Sequence, residues 1–141
     1  MEVLQTAAGY LKKQGVENPR VNAERLLAHL LSLSRVDLYL KYEMPLKTAE
    51  REAYKEMLRE RTSSVPLQYI TGETEFMSLP FRVNDHVLIP RPETETLTEH
   101  IISEFRGRGP VNILDIGTGS GCIAVSLAHY LEEARVTAVD I

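Results

Sequence analysis

The strongest constraint on the fold of this chain is a glycine-rich turn near its C-terminal end. A largely apolar segment, Ile113–Ile116, precedes a stretch with glycine at every second position, Gly117–Gly121. The apolar segment predicts a strand that is buried on both faces of a parallel sheet. Apolar residues then recur at helical spacing over Cys122–Leu131, and a second strand is predicted at Arg135–Asp140. We therefore predict a right-handed crossover that joins two parallel strands through a helix.

The turn also predicts a ligand site, and its spacing separates several kinds of ligand. Glycines let the backbone turn sharply and let a ligand approach the main chain closely. A phosphate-binding P-loop requires lysine and then serine or threonine after its last glycine, whereas Cys122 and Ile123 follow here. The dinucleotide fingerprint requires its third glycine at the position of Cys122. The spacing therefore predicts neither a P-loop nor a dinucleotide site.

Two aspartates bracket the turn and favour a cationic ligand. Asp115, at the end of the first strand, would repel a pyrophosphate but attract an ammonium or sulfonium group. Asp140 ends the second strand about 20 residues beyond the glycines, where a carboxylate can accept hydrogen bonds from both hydroxyls of a ribose. S-adenosylmethionine has a ribose, a cationic end and no phosphate, and the pattern resembles the cofactor motif of Rossmann-like methyltransferases. The alternative is a tight turn flanked by two ordinary surface aspartates. The predicted cofactor-binding residues are Asp115, Gly117, Thr118, Gly119, Ser120, Gly121 and Asp140.

Composition narrows the class of protein. The chain has 141 residues, a formal net charge of −4 and a single cysteine, Cys122. The acidic charge argues against a broad basic face for nucleic acid, and one cysteine excludes an internal disulfide and a multi-cysteine zinc site. No apolar run approaches the roughly 20 residues that span a bilayer, and residues 1–5 lack the basic start of a signal peptide. We expect a cytoplasmic location, no membrane association and no metal site, with Cys122 as a small buried residue.

Two further segments are predicted before the glycine turn. Together with the crossover they predict an α/β fold. Residues 1–64 carry apolar residues at helical spacing, with a broad stripe on the second helix and a short helix from Val36 to Tyr42. We predict a small helical bundle for recognition or support. Residues 65–90 predict a β-hairpin linker that turns at Ser78–Pro80. Residues 91–141 are predicted to begin a Rossmann-like parallel sheet.

Prolines shape the segment between the hairpin and the sheet. Pro90 and Pro92 flank Arg91 and hold the backbone extended. The stretch Leu88–Thr94 either wraps over the cofactor pocket or is a rigid strap between domains, and the sequence leaves both interpretations open. Pro92 is also suited to the first turn of a helix. The residues predicted on the inward face of that helix are Leu97, Ile101 and Phe105.

Four runs in the chain together resemble one family. They are Pro66–Gly72, Glu75–Phe76, Leu88–Glu95 and Ile113–Gly121. This combination is similar to the HemK/PrmC-type methyltransferases, which methylate the N5 amide nitrogen of a glutamine in peptide chain release factors. The resemblance covers the whole chain, and its Ile-Pro-Arg-Pro-Glu-Thr run is far more specific than the glycine turn alone. It implies S-adenosylmethionine as cofactor and release factors as partners, in translation termination. It also implies that the glycine turn lies beside the methionine part of the cofactor, Asp115 near its amino end and Asp140 at its ribose.

The resemblance further implies that this chain carries part of an enzyme. Family members continue for about as many residues again and contain an Asn-Pro-Pro-Tyr motif that holds the acceptor amide, whereas no such run occurs in these 141 residues. We therefore expect an N-terminal half that has no catalytic residue and is inactive alone. Because further strands and helices would normally cover its sheet, we also expect an exposed apolar face, an open edge and self-association.

The sequence is also compatible with two other functions. A nucleic-acid amino-group methyltransferase shares the same amide-holding motif, although the acidic charge and the Pro-Arg-Pro-Glu-Thr run weigh against direct nucleic-acid binding. The other alternative is not an enzyme but a protein-binding fragment, in which the helical bundle binds a partner.

Overall fold

A computed structural model describes residues 2–41 and 44–141 of the chain. It divides into two compact units, Met1–Thr71 and Gly72–Ile141. Its combination of helices with two small sheets confirms the predicted α/β class. None of the helices within the two described ranges has both the length and the apolar character needed to cross a membrane.

The first unit is a small bundle of helices. In its described part the helices are α1 (Glu2–Lys13), α2 (Pro19–Leu30), α3 (Arg35–Leu40), α4 (Thr48–Thr62) and α5 (Leu67–Thr71). Helix α2 contacts α1, α3, α4 and α5, so it is the central helix, as its broad apolar stripe predicts. The short helix predicted from Val36 to Tyr42 corresponds to α3, and Tyr42 itself lies outside the described residues.

The core of the first unit is apolar and includes one buried tyrosine. Its buried residues are Ala7, Leu11, Ala23, Leu26, Leu27, Ala28, Leu38, Tyr54 and Leu58. The Tyr54 hydroxyl donates a hydrogen bond to the backbone carbonyl of Ala23 at 2.8 Å, so its polar group is satisfied in the core. Leu67 and Ile70, both on α5, pack against this core. The compact unit therefore extends to Thr71, beyond the boundary predicted at residue 64.

A buried carboxylate joins α2 to α3. The side chain of Glu24 is 2% exposed and accepts hydrogen bonds from Arg20 Nε at 2.9 Å, from Arg35 Nη2 at 2.5 Å and from the Tyr39 hydroxyl. Burial by itself raises the pKa of Glu24, but the three donors together outweigh burial and lower that pKa to about 2. Glu24 is therefore ionised at neutral pH and holds the two helices together.

The second unit contains a hairpin and a parallel pair of strands. Its elements are β1 (Glu73–Phe76), β2 (Leu79–Arg82), α6 (Pro92–Phe105), β3 (Val111–Ile116), α7 (Cys122–Tyr130) and β4 (Ala134–Val139). Strands β3 and β4 pair in parallel, from Val111 opposite Ala134 to Ile116 opposite Val139. Because α7 connects them, the predicted parallel crossover is confirmed.

The hairpin turns at Met77 and Ser78, slightly before the predicted turn at Ser78–Pro80. Phe76 pairs with Leu79, which leaves Met77 and Ser78 as a two-residue turn, and Pro80 lies within β2. A proline is tolerated there because both strands of a two-stranded sheet are edge strands, where a missing backbone N–H breaks no inner ladder.

The hairpin is packed into the second unit. Phe76 and Phe81 contact each other edge to face, with ring centroids 6.2 Å apart, and both pack against Cys122. Cys122 is buried, as predicted. The two units divide between Thr71 and Gly72. The linker predicted at residues 65–90 stays a prediction.

Among the described residues, helices cover one face of the parallel pair. A cluster of buried residues from α6 and around the end of α7 packs on this face, and it contains Ile102, Leu127 and Leu131. On the opposite face Leu114 and Ile116 are 60% and 76% exposed. The prediction that β3 is buried on both faces is therefore wrong, because the helices of the described residues lie on one side. The predicted exposed apolar face is confirmed.

Helix α6 turns inward a face that only partly matches the prediction. Ile101 is half-buried and packs against the cluster of buried residues, as predicted, whereas Leu97 is 54% exposed and Phe105 is 37% exposed. The fully buried residues of the helix are Thr98 and Ile102. The buried Thr98 hydroxyl donates to the backbone carbonyl of Thr94 at 2.9 Å, which satisfies it inside the unit. Contact with α7 therefore determines which residues of α6 are buried, and the most apolar side of the helix does not.

Candidate functional site

The glycine turn between β3 and α7 has a backbone that only glycine adopts readily. Gly117, Gly119 and Gly121 have φ angles of +74°, +54° and +76°. A side chain in this left-handed region costs about 1–2 kcal/mol per residue. A Cβ atom added at Gly117 or Gly119 would meet no heavy atom within 4 Å. The loop therefore presents bare main chain beside open space, which is what close approach of a ligand requires.

Backbone hydrogen bonds fix this loop against the end of β4. The N–H groups of Gly117 and Thr118 both donate to the carbonyl of Val139, at 2.8 and 3.2 Å. Within the loop the Gly121 N–H donates to the carbonyl of Thr118 at 2.9 Å. These bonds bring the last residues of β4 next to the loop, although about 20 residues separate them in sequence.

Asp140 lies at this junction. Its Oδ2 accepts a hydrogen bond from the Gly119 N–H at 2.6 Å, and its Oδ1 accepts one from the Ile141 N–H at 2.8 Å. The bond from Gly119 and then the bond from Ile141 hold the pKa of the Asp140 carboxyl below its ordinary value. Asp140 is exposed and ionised at neutral pH, so its oxygens can accept further hydrogen bonds from a ligand.

Asp115 lies at the other end of the loop. It is half-buried in β3, and its Oδ2 accepts a hydrogen bond from the Thr118 hydroxyl at 2.7 Å. Ser120, the remaining predicted residue, is half-buried in the same turn. The structure thus brings all the predicted site residues into one turn: Asp115, Gly117, Thr118, Gly119, Ser120, Gly121 and Asp140. That they bind a cofactor stays a prediction.

The stretch Leu88–Thr94 leads into α6. Arg91 precedes the helix as its N-cap with extended backbone, and Pro92 is in its first turn, as predicted. One turn further, the Glu95 carboxylate reaches back to the backbone N–H of Met77 at 2.7 Å. Both residues of this contact lie in the second unit, so it does not distinguish a strap between domains from a cover over the cofactor. Both interpretations of Leu88–Thr94 stay predictions.

The sequence did not predict what supports the loop from beneath. Phe76 and Phe81 of the hairpin pack against Cys122, the residue that follows the last glycine of the loop. Alternation predicted the hairpin itself, but nothing in the sequence indicated what its phenylalanines contact. The hairpin is therefore part of the site's framework.

Comparison with known proteins identifies the family. Residues 2–72 match the sequence profile of the PrmC N-terminal domain. A release factor glutamine methyltransferase of Chlorobaculum tepidum is 45% identical over 146 residues, which is 100% of this chain and 50% of that protein. Enzymes of the same name are similar to this chain in two further organisms. That of Leptospira interrogans is 44% identical over 100% of this chain and 50% of its own length, and that of Flavobacterium psychrophilum is 48% identical over 77% and 39%. This chain thus spans about half the length of the first two relatives, and it belongs to the family of the PrmC N-terminal domain.

Proposed function

We propose that this chain supplies a recognition unit and an S-adenosylmethionine site to an enzyme that methylates a glutamine side-chain amide in peptide chain release factors. The observation that carries the proposal is that Asp115 and Asp140 approach one bare loop from its two ends, through Thr118 and Gly119. The names of the relatives support the choice of acceptor. A cytoplasmic location and a role in translation termination are part of this proposal.

The residues of the loop fit such a ligand. An ionised, exposed Asp140 can accept hydrogen bonds from a ribose diol while it keeps its bond from Gly119, since a carboxylate offers about four acceptor positions. Open space beside Gly117 and Gly119 allows a ligand to lie against the main chain. Asp115 adds a second negative charge, which favours a cationic group and disfavours phosphate.

The proposed chemical role of this chain is to bind and orient. When bound, S-adenosylmethionine supplies the methyl group that the amide nitrogen accepts. Asp140 holds the ribose, the main chain of Gly117–Gly121 lies beside the methionine part, and Asp115 favours the cationic amino end. Orientation matters because an amide nitrogen is a weak nucleophile, so alignment of donor and acceptor provides much of the rate. We propose that the groups that hold the amide lie outside these 141 residues.

The helical unit is proposed to recognise the protein substrate. It has a cavity of about 660 Å³ between α1 and α4, lined by apolar residues and by charged residues of both signs, Glu2 on α1 and Arg51, Lys55 and Arg59 on α4. Lys55 and Arg59 are already paired with Glu52 and Glu56. The apolar part of this groove suits the apolar side of an amphipathic segment of a protein partner. This role of the helical unit does not depend on which ligand the glycine loop binds.

A labelled-methyl assay tests the proposed reaction. The full-length protein that carries this chain is incubated with methyl-labelled S-adenosylmethionine and with either a release factor or RNA. We expect label in the release factor, on a glutamine located by mass spectrometry, and none in RNA. Label in RNA alone would favour the nucleic-acid alternative, and binding of the release factor without transfer would favour the adaptor alternative.

The 141-residue chain alone is expected to give no methyl transfer in the same assay. The reason is that no Asn-Pro-Pro-Tyr run for the acceptor amide occurs in its sequence. The control is the full-length protein at equal concentration. Turnover by the shorter chain would contradict the assignment of the amide-holding groups to residues outside it.

A further inference from the structure

The hairpin turn at Met77 and Ser78 has an unusual backbone. The φ angles of Met77 and Ser78 are +51° and +60°, so both central residues are left-handed without being glycine. Two-residue hairpin turns of the common type require this conformation and usually fill it with Asn-Gly or Asp-Gly. Each non-glycine residue in the left-handed region costs about 1–2 kcal/mol. Something outside the hairpin must therefore hold the turn in place.

Packing accounts for the methionine. The Met77 side chain contacts two buried clusters, one formed by Phe76, Phe81 and Cys122 and the other by the residues of α6 and α7 beneath the parallel sheet. Glycine would relieve the backbone strain but would remove this contact between the clusters. Met77 is therefore the point at which the hairpin joins the core of the second unit.

Two side chains hold the backbone of Met77 from opposite sides. The Glu95 carboxylate on α6 accepts a hydrogen bond from the Met77 N–H at 2.7 Å. The Tyr130 hydroxyl, at the last residue of α7, donates one to the Met77 carbonyl at 2.7 Å. A carboxylate acceptor makes the first of these a charge-assisted bond, which is about twice as strong as a neutral one.

Two strand residues close to this turn also support the glycine loop. Phe76 and Phe81 pack on Cys122, which is the first residue of α7 and follows Gly121 directly. Helix α7 is thus held at both ends by the hairpin: at its start by the two phenylalanines and at its last residue by the bond from Tyr130 to Met77. A shift of the hairpin would therefore move the helix start that closes the loop.

We propose that Glu95 and Tyr130 are positioning residues for cofactor binding, which act by clamping Met77 so that the hairpin fixes the glycine loop. Both residues act through the hairpin and α7, by their hydrogen bonds to Met77. The binding effect rests on the proposed function of the loop, whereas the clamp itself is a property of the protein with or without a ligand.

Calorimetric titration of the full-length protein with S-adenosylmethionine tests the binding effect. Glu95→Ala should raise Kd about 3- to 10-fold, the range of energetic coupling between a ligand and residues that do not contact it. Tyr130→Phe should raise Kd in the same direction. Glu95→Gln should recover most of the affinity that Glu95→Ala loses, because its amide oxygen can still accept the hydrogen bond from Met77, although without the charge. Thermal unfolding of each variant establishes that the titrated protein is folded.

Glu99→Ala is the matched control. Glu99 lies one turn along α6, lines the same cleft as Glu95 and is exposed. Its removal changes the charge equally, so its Kd should equal that of the wild type. An unchanged Kd for Glu95→Ala, an equal loss in Glu99→Ala, or failure of Glu95→Gln to rescue would each overturn the proposal.

Hydrogen exchange without any ligand separates this proposal from the proposed function. The backbone N–H groups of Gly117, Thr118 and Gly121 are hydrogen-bonded, so their exchange rates report opening of the loop. Glu95→Ala should speed exchange in Gly117–Gly121 several-fold, and Glu99→Ala should not. If the wild-type protein binds no S-adenosylmethionine, the proposed function is wrong. The exchange rates of the loop in Glu95→Ala would still show whether Glu95 fixes the loop through Met77. Unchanged loop exchange in Glu95→Ala would refute the clamp.

Discussion

Asp140→Ala is expected to weaken binding of S-adenosylmethionine by the full-length protein about 10-fold to 100-fold, because it leaves the ribose hydroxyls without their acceptor. The variant also removes the acceptor of the Gly119 N–H, whose bond to Asp140 is 2.6 Å long. Both losses act on the same loop, so their effects on affinity add in the same direction. Calorimetric titration measures the dissociation constant directly.

The controls for Asp140 separate its hydrogen bonds from its charge. Asp140→Asn keeps one acceptor oxygen and loses the charge, so its affinity should lie between those of the wild type and the alanine variant. Glu132→Ala removes a negative charge from the exposed turn before β4 and should leave affinity unchanged. An Asp140→Ala protein that binds the cofactor as tightly as the wild type would remove Asp140 from the site.

Glu24→Gln is expected to lower the free energy of unfolding of the helical unit by about 2–3 kcal/mol at pH 7, the typical contribution of hydrogen bonds to a charged group. The Glu24 side chain is 2% exposed, and its carboxylate is shared by Arg20, Arg35 and Tyr39. The amide of glutamine can accept from only one oxygen and carries no charge for the two guanidinium groups. Urea unfolding of wild type and variant measures the difference.

The same contact predicts a dependence on pH. The folded protein lowers the pKa of Glu24 from its ordinary value of 4.5 to about 2. A carboxyl group whose pKa is lower in the folded state stabilises that state above its unfolded pKa. This contribution is therefore complete above pH 4.5 and is lost as the pH falls toward 2. The difference between wild type and Glu24→Gln should shrink over the same range.

An exposed carboxylate serves as the control for Glu24. Glu52 forms an ion pair with Lys55 on the surface of α4, with side chains 64% and 58% exposed. Such surface pairs contribute little, since water solvates both partners before and after folding. Glu52→Gln should therefore leave the unfolding curve unchanged at every pH. A wild-type advantage over Glu24→Gln that persists unchanged to pH 2 would show that ionisation of Glu24 is not its source.

The spacing of glycines and apolar residues predicted the crossover correctly, but it did not predict which residues of α6 are buried. The strands, the turn and α7 follow from glycine spacing and from apolar periodicity, which act over a few residues. On α6, the most apolar stripe contains Leu97 and Phe105, yet the structure buries Thr98 and Ile102. Which stripe is buried depends on where α7 lies, and periodicity contains no information about that neighbour.

The hairpin illustrates the same limit. The hairpin was predicted from alternation, but the turn was predicted at Ser78–Pro80 and is formed by Met77 and Ser78. Methionine is disfavoured in the left-handed conformation of such a turn. Local conformational preference therefore does not predict that Met77 forms the turn. Contacts with Glu95 and Tyr130, which lie far along the chain, decide the outcome.

The family, the α/β class and the position of the bare loop between Asp115 and Asp140 were predictable from the residues alone. They were predictable because left-handed backbone angles, strand alternation and helix periodicity are dictated by each residue and its near neighbours. The burial of Glu24 between two arginines, and the support of the loop by a hairpin held at Met77, became visible only in the folded protein. Those features arise from contacts between residues distant in sequence, whose partners exist only once the chain has folded.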